Sequence, residues 1–170
     1  MASFIPFYTD PARKGLQRLQ IGVMILLVPL ALFLGIPAYQ DYRNFQEAGK
    51  LLMQADELSH EGKVKEALEA CEKCVALYPG FYEAYELMAS LNYSRSDRHL
   101  AIESYERGLK VLPEHGELHL GLAQMLFLEK RYPEAQEHAR KATELLPGDP
   151  RPGHLVQSCD DLMKREKAEG

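Results

Sequence analysis

From Leu19 to Gln40 no position is charged; from Asp41 onward apolar and polar residues alternate in the three-and-four spacing of amphipathic helices. The core of the first stretch reads IGVMILLVPLALFLGIPAY, Ile21 to Tyr39. A helix rises ~1.5 Å per residue, so about 20 such residues cross the ~30 Å hydrocarbon layer of a bilayer. Pro29 and Pro37 would break an exposed helix but are tolerated as kinks within a membrane. The pattern predicts a transmembrane helix over residues 19–40, with Tyr39, Tyr42 and Phe45 placed as an aromatic interfacial belt. A cleaved export signal fits less well. Its apolar core is usually only ~7–15 residues long and ends in a small-x-small site, whereas Ala38 is preceded two residues earlier by Ile36. Residues 1–18 combine Phe4, Ile5, Phe7 and Tyr8 with Pro6 and Pro11, which block a regular helix. They read as a tail that dips into the headgroups or docks on another membrane subunit. Residues 41–47 have no helix breaker and form a helical linker.

Beyond the linker the sequence repeats itself. Pro79, Pro113 and Pro147 share one phase, as do Ala67, Ala101 and Ala135, and Ala55, Ala89 and Ala123. Cys71, Tyr105 and Ala139 form another such set, and Val75, Leu109 and Thr143 a looser one. Each unit holds two amphipathic segments of about 12–14 residues separated by a short break, the pattern of a helical hairpin repeat. Small residues let paired helices approach closely, and each proline ends a second helix because it lacks the next amide donor. One hairpin cannot bury its apolar face alone, and about three are needed for a stable stack.

The spacing of these residues resembles the tetratricopeptide-repeat (TPR) family. The small residue of the first helix, the alanine early in the second and the closing proline recur in residues 48–81, 82–115 and 116–149. Gly62 and Val64, Ser96 and Arg98, and Lys130 and Tyr132 take the places of the family's Gly-x-Tyr turn. Leu51, Tyr85 and His119 replace its large aromatic. The expected fold is therefore all-α: a transmembrane helix, a three-repeat solenoid over 48–149, and a capping helix and tail over 150–170. Asp149 and Pro150 suit a helix start, and Leu155, Val156, Cys159, Leu162 and Met163 fall on one face.

The resemblance also implies a groove lined by the first helices. Its partner-binding positions would be Leu52, Met53, Asp56, Glu83, Glu86, Leu87, Tyr93, Leu120, Gln124 and Phe127, with Ser59, Ser90, Glu117 and Leu128 beside them. Family members that clamp acidic chaperone tails use basic and amide residues. The matching positions here are Leu52, Asp56, Leu87, Glu117 and Gly121, so that activity is not expected. An apolar strip edged by acids suits an amphipathic or extended segment with basic flanks.

Charge narrows the partner class. The chain carries 20 basic and 25 acidic residues, a net charge of −5. Residues 1–40 hold Arg13, Lys14 and Arg18 against Asp10, which leaves the remainder more acidic still. Nucleic acid needs a basic surface and is not an expected partner. Three basic residues precede the apolar stretch, while Arg43 and Lys50 follow it. The positive-inside rule then puts the N-terminus in the cytoplasm and the repeats in the periplasm, for a bacterial inner membrane.

Candidate chemistry is sparse. Cys71 and Cys74 form a CxxC, but in mid-helix rather than after a strand, and buried packing explains them better than a redox pair or a zinc site. His115 and His119 are four apart without the metalloprotease glutamate. The expectation is a non-enzymatic scaffold without metal or cofactor, a subunit or assembly factor of a membrane complex that binds other proteins and, through 19–40, the bilayer. The alternative is a periplasmic holdase for unfolded or secreted clients.

Overall fold

The computed structural model describes residues 35 and 38–169. The expected tail 1–18, and the expected membrane helix apart from residues 35 and 38–40, lie outside the described residues. Among those described, no helix is long and apolar enough to cross a membrane. The chain divides into two compact units, Met1–Arg43 and Asn44–Gly170. In the first, residues 38–43 are helical, with Tyr39 and Tyr42 exposed. The second contains the repeats.

Residues 38–60 form α1. It is followed by α2 (Val64–Leu77), α3 (Tyr82–Ser94), α4 (Arg98–Val111), α5 (Gly116–Leu128), α6 (Tyr132–Leu145) and α7 (Pro150–Glu169). The described residues contain no strand. Helices α3 and α4 pack as one hairpin and α5 and α6 as the next, and α7 packs on α6 and the edge of α5. The residues that permit this are small. Ala55, Ala67, Ala101, Ala123 and Ala135 are all fully buried, and Ala89 is 1% exposed. A larger side chain at any of these sites would push two backbones apart.

Two apolar cores result. The first gathers Ala48, Ala55, Cys71, Cys74, Tyr85, Met88 and, from α5, Leu118. The second gathers Ile102, Leu122, Leu126, Tyr132 and, from α7, Cys159. Tyr105 and Leu109 of α4 pack against both and join them. Tyr105 fits because Gly121 lies beneath it; a Cβ on that glycine would land on the tyrosine ring. In the same way Gly108 has Tyr85 on one side and Leu118 on the other, each about 3.0 Å from where a Cβ would sit.

The cost of local geometry falls on the turns. Gly62, Ser96 and Lys130 occupy the hairpin turns with φ of 74°, 66° and 60°. Glycine adopts this left-handed conformation freely, whereas serine and lysine do not. None of the helices α2–α6 has a side-chain N-cap hydrogen bond. Helix α7 gains one, with Asp149 Oδ1 accepting from the Arg151 amide at 2.8 Å. Side-to-side packing thus carries most of the stability. Pro79, Pro113 and Pro147 each lie two residues beyond the end of α2, α4 and α6.

Lys130→Gly should relieve the left-handed lysine and raise stability by about 0.5–1 kcal/mol, read as a higher urea midpoint. Gly62→Ala should lower the midpoint.

Candidate functional site

The face to consider is built by α1, α3 and α5. Leu52, Met53 and Asp56 of α1 and Glu83 and Leu87 of α3 line a depression of about 290 Å³. Helical spacing brings Leu52, Met53 and Asp56 to one side of α1, and Glu83 and Leu87 lie four apart on α3. The floor is apolar and Asp56 and Glu83 are its acidic walls. Met53 is 68% exposed, unusual for so apolar a side chain.

Acidic charge continues along α3 and α5. Glu86 is half-buried, and its carboxyl is pushed above the usual carboxylate range, first by burial and then by Glu117 and Glu83, with Arg151 opposing. Tyr105 is raised to about 12 by burial and by the same two acids, Glu86 and Glu117. Tyr82 is raised by burial and by Glu83, Glu86 and Glu117. Among the described residues neither Glu83 nor Glu86 has an ion-pair partner, whereas Glu117 accepts from Arg151 at 2.7 Å. Arg151 also binds Asp149, and this one cation, supplied by α7, closes the end of the acidic row.

Sequence reading did not mark Arg151, Tyr82 or Tyr105 as site residues, although the repeat holds the signal. Glu83, Glu117 and Arg151 share one phase, so stacking sets each beside the next. Tyr82 stacks on His115 with ring centroids 4.0 Å apart. Burial lowers the pKa of His115, and its Nδ1 is buried without a hydrogen-bond partner among the described residues.

The expected partner positions divide. Leu52, Met53, Asp56, Glu83 and Leu87 come together, with Glu86 and Glu117 alongside, and Tyr93 and Gln124 are exposed. Leu120 departs from the expectation: it is 2% exposed and belongs to the interior. The cause is that α5 packs against α3, α4, α6 and α7, so an apolar residue on almost any of its faces is covered. Phe127 also packs inward, against the second core, with its ring edge-on to Tyr132 at 5.4 Å. Leu128, 44% exposed, is the surface apolar residue at that end of α5.

Cys71 and Cys74 are fully buried within α2. Burial raises both thiols, Cys71 to about 12 and Cys74 to about 11, the opposite of an activated redox pair. Among the described residues no group of three or more His, Cys, Asp or Glu side chains could hold a metal. His119 sits in the slot of the large aromatic. Its Nε2 donates to the Pro113 carbonyl at 3.0 Å, which leaves its Nδ1 to accept from His138 Nδ1 at 2.9 Å. Tyr85, one repeat earlier, likewise donates to the Pro79 carbonyl at 3.3 Å. Both residues tie a first helix to the proline that ends the preceding one.

Two family models described as tetratricopeptide repeat match this chain, over residues 51–81 and 87–150. The repeats are tetratricopeptide repeats. Tetratricopeptide repeat protein 33 of Xenopus laevis is 28% identical over 123 residues, which are 68% of this chain and 48% of that protein. The chain thus spans about half the length of that relative. Solved structures share the fold. The first TPR of Spaghetti (RPAP3), bound to the HSP90 peptide SRMEEVD, has a TM-score of 0.63 at 15% identity, covering 71% of this chain and 95% of that one. PilF of Pseudomonas aeruginosa has a TM-score of 0.62 at 19% identity, over 71% and 55%. The Yersinia enterocolitica type III secretion chaperone SycD, in complex with a peptide of the translocator YopD, has a TM-score of 0.56 at 18% identity, over 71% and 92%. TPR units are in general modules of protein interaction rather than catalysis.

The acidic face and the buried thiols of α2 are each open to test. Glu86→Gln should stabilise the protein at pH 7, because the folded state resists ionising this carboxyl. The gain should vanish below about pH 4.5, its ordinary value, and grow as pH rises through the elevated folded one; unfolding curves at several pH values read it directly. Cys71 and Cys74 should resist a thiol reagent at pH 8 until the protein unfolds, and Cys71→Ser should cost about 1–3 kcal/mol through a buried hydroxyl.

Proposed function

We propose that this chain is a membrane-anchored adaptor whose TPR face holds a protein segment with apolar anchors and basic flanks. The observation that carries this reading is the apolar floor of Leu52, Met53 and Leu87, walled by Asp56 and Glu83, with Glu86 beside it and unpaired among the described residues. A half-buried carboxylate among like charges is unfavourable in the free protein and is relieved by a cation from outside. The apolar floor supplies affinity, and the acids select and orient the ligand.

The structures of the first TPR of Spaghetti and of SycD both hold peptides, which supports peptide capture as the general mode. The bound sequence SRMEEVD is itself acidic. The acidic walls here would repel such a peptide, so the expected ligand has the opposite charge.

The remainder of the proposal rests on the sequence. The uncharged residues 19–40 anchor the chain in a membrane. The excess of basic residues before them sets the N-terminus on the cytoplasmic side and the repeats on the other, the periplasm of a bacterial inner membrane. The role is that of a subunit or assembly factor of a membrane protein complex, without catalysis.

The test is binding of the full-length protein, in mild detergent, to two labelled peptides: one apolar with flanking lysines, the other SRMEEVD. The lysine-flanked peptide should bind, weaken with added salt, and lose about tenfold in affinity, or about 1.4 kcal/mol, when Glu83 and Glu86 are changed to Lys. Equal binding of the acidic peptide, or indifference to the charge reversal, would discard the reading. Affinity purification of the tagged full-length protein from membranes then separates the roles: a fixed-ratio complex marks a subunit, and substoichiometric capture an assembly factor.

A further inference from the structure

A second apolar surface lies at the start of the repeats, distinct in composition from the acidic depression. Phe45 of α1 meets Tyr78 and Phe81, from the turn between α2 and α3. The Phe45 and Phe81 rings stack with centroids 5.1 Å apart. Tyr78 stands edge-on to each of them, at 5.3 Å. Phe81 roots the cluster by packing on the first core. The turn is shaped for it, because a Cβ on Gly80 would fall 2.8 Å from the Tyr78 ring. The outer side is open, with Phe45 43%, Leu77 38% and Tyr78 36% exposed. Interlocked rings with so much surface in water are costly unless something covers them.

The chain itself points to the occupant. The uncharged run ends at Gln40, five residues before Phe45. Five residues of chain span at most about 18 Å, whatever their conformation. The polar headgroup zone adds about 5–8 Å to each side of the hydrocarbon layer. A ring at Phe45 is therefore tethered within reach of that zone. The chemistry agrees: phenyl rings and an aliphatic residue for the apolar side, a phenol for the wet side, the mixture that favours membrane interfaces. Near Phe45, Arg43 and Lys50 are offset by Asp41 and Glu47, and Lys50 pairs with Glu47. The site has no net positive charge, so it suits zwitterionic lipid and does not require anionic lipid.

We propose that Phe45, Leu77, Tyr78 and Phe81 form an aromatic platform that rests in the zwitterionic headgroup layer of the bilayer anchored by residues 19–40. This rests on the membrane-anchor reading above. The platform fixes the first repeat against the lipid surface instead of leaving it to swing on a tether.

The chain contains no tryptophan, so a single introduced one reports alone. The full-length protein is reconstituted in phosphatidylcholine vesicles, with and without brominated acyl chains, as three variants: Tyr78→Trp, Phe33→Trp within the apolar stretch, and Tyr93→Trp on α3. Circular dichroism checks that each is folded. The expected result is that emission of the Tyr78→Trp variant shifts to the blue and is quenched by bromolipid to an extent approaching that of Phe33→Trp. The Tyr93→Trp variant should stay unquenched, and adding phosphatidylserine should change little. If Phe33→Trp is quenched and Tyr78→Trp is not, the anchor stands and the platform is overturned. If neither is quenched, the anchor reading itself fails and takes the platform with it. A blue shift of Tyr78→Trp that appears in detergent without lipid and grows with protein concentration means that a second copy covers the rings, which also overturns the proposal.

Discussion

The closest contacts between helices depend on positions that have almost no side chain. Ala55, Ala67, Ala101, Ala123 and Ala135 are fully buried, and Gly108 and Gly121 leave room for whole rings from neighbouring helices. Individual helices contribute little on their own, since α2–α6 have no side-chain N-caps and two of the three hairpin turns hold non-glycine residues in a left-handed conformation. Close packing must offset both. It does so through shared residues: Leu118 of the third repeat enters the first core, and Tyr105 and Leu109 touch both cores. Neighbouring repeats therefore stabilise one another, as expected for a stack whose units are individually too small to persist.

That packing fixes the chemistry of the surface. Once α1, α3 and α5 are aligned, side chains in equal phase become neighbours. The row Glu83, Glu117, Arg151 then places two like charges side by side and ends in a cation. Glu86 is held among them in a half-buried position that favours its neutral form. The strain of this arrangement is electrostatic rather than steric. It is located beside the apolar depression. Buried groups elsewhere are inert: the paired cysteines are raised well above neutrality, and His119 and His138 satisfy one another.

Much of this was legible from periodicity. The prolines, the alanines and the three turn positions share a spacing, and each takes the place that a hairpin repeat requires. The helix start at Asp149 and Pro150 was visible too, because N-cap chemistry is local. Burial that depends on the next element was less legible. Position within a repeat marks Leu120 as groove-facing, but α5 has helices around it and Leu120 is covered. Pro152, near the start of α7, is almost fully buried, which the repeat spacing does not mark. The joining of Phe45 to Tyr78 and Phe81 depends on how a turn folds back, which no spacing rule encodes.

Arg151 bears on how such a protein can change over evolutionary time. Repeat arrays lengthen and shorten by duplication of whole units, and a duplicated third repeat would bring another glutamate into the phase of Glu117. That copy would separate Glu117 from Arg151 and extend the row of like charges by one, with the lone cation moved to the new end. Loss of the third repeat would instead set Arg151 beside Glu83 and neutralise the acid that walls the depression. Three is thus the smallest array length at which Arg151 closes the terminus without reaching the acidic walls. If this face binds a protein segment as proposed, copy number becomes a variable of its selectivity.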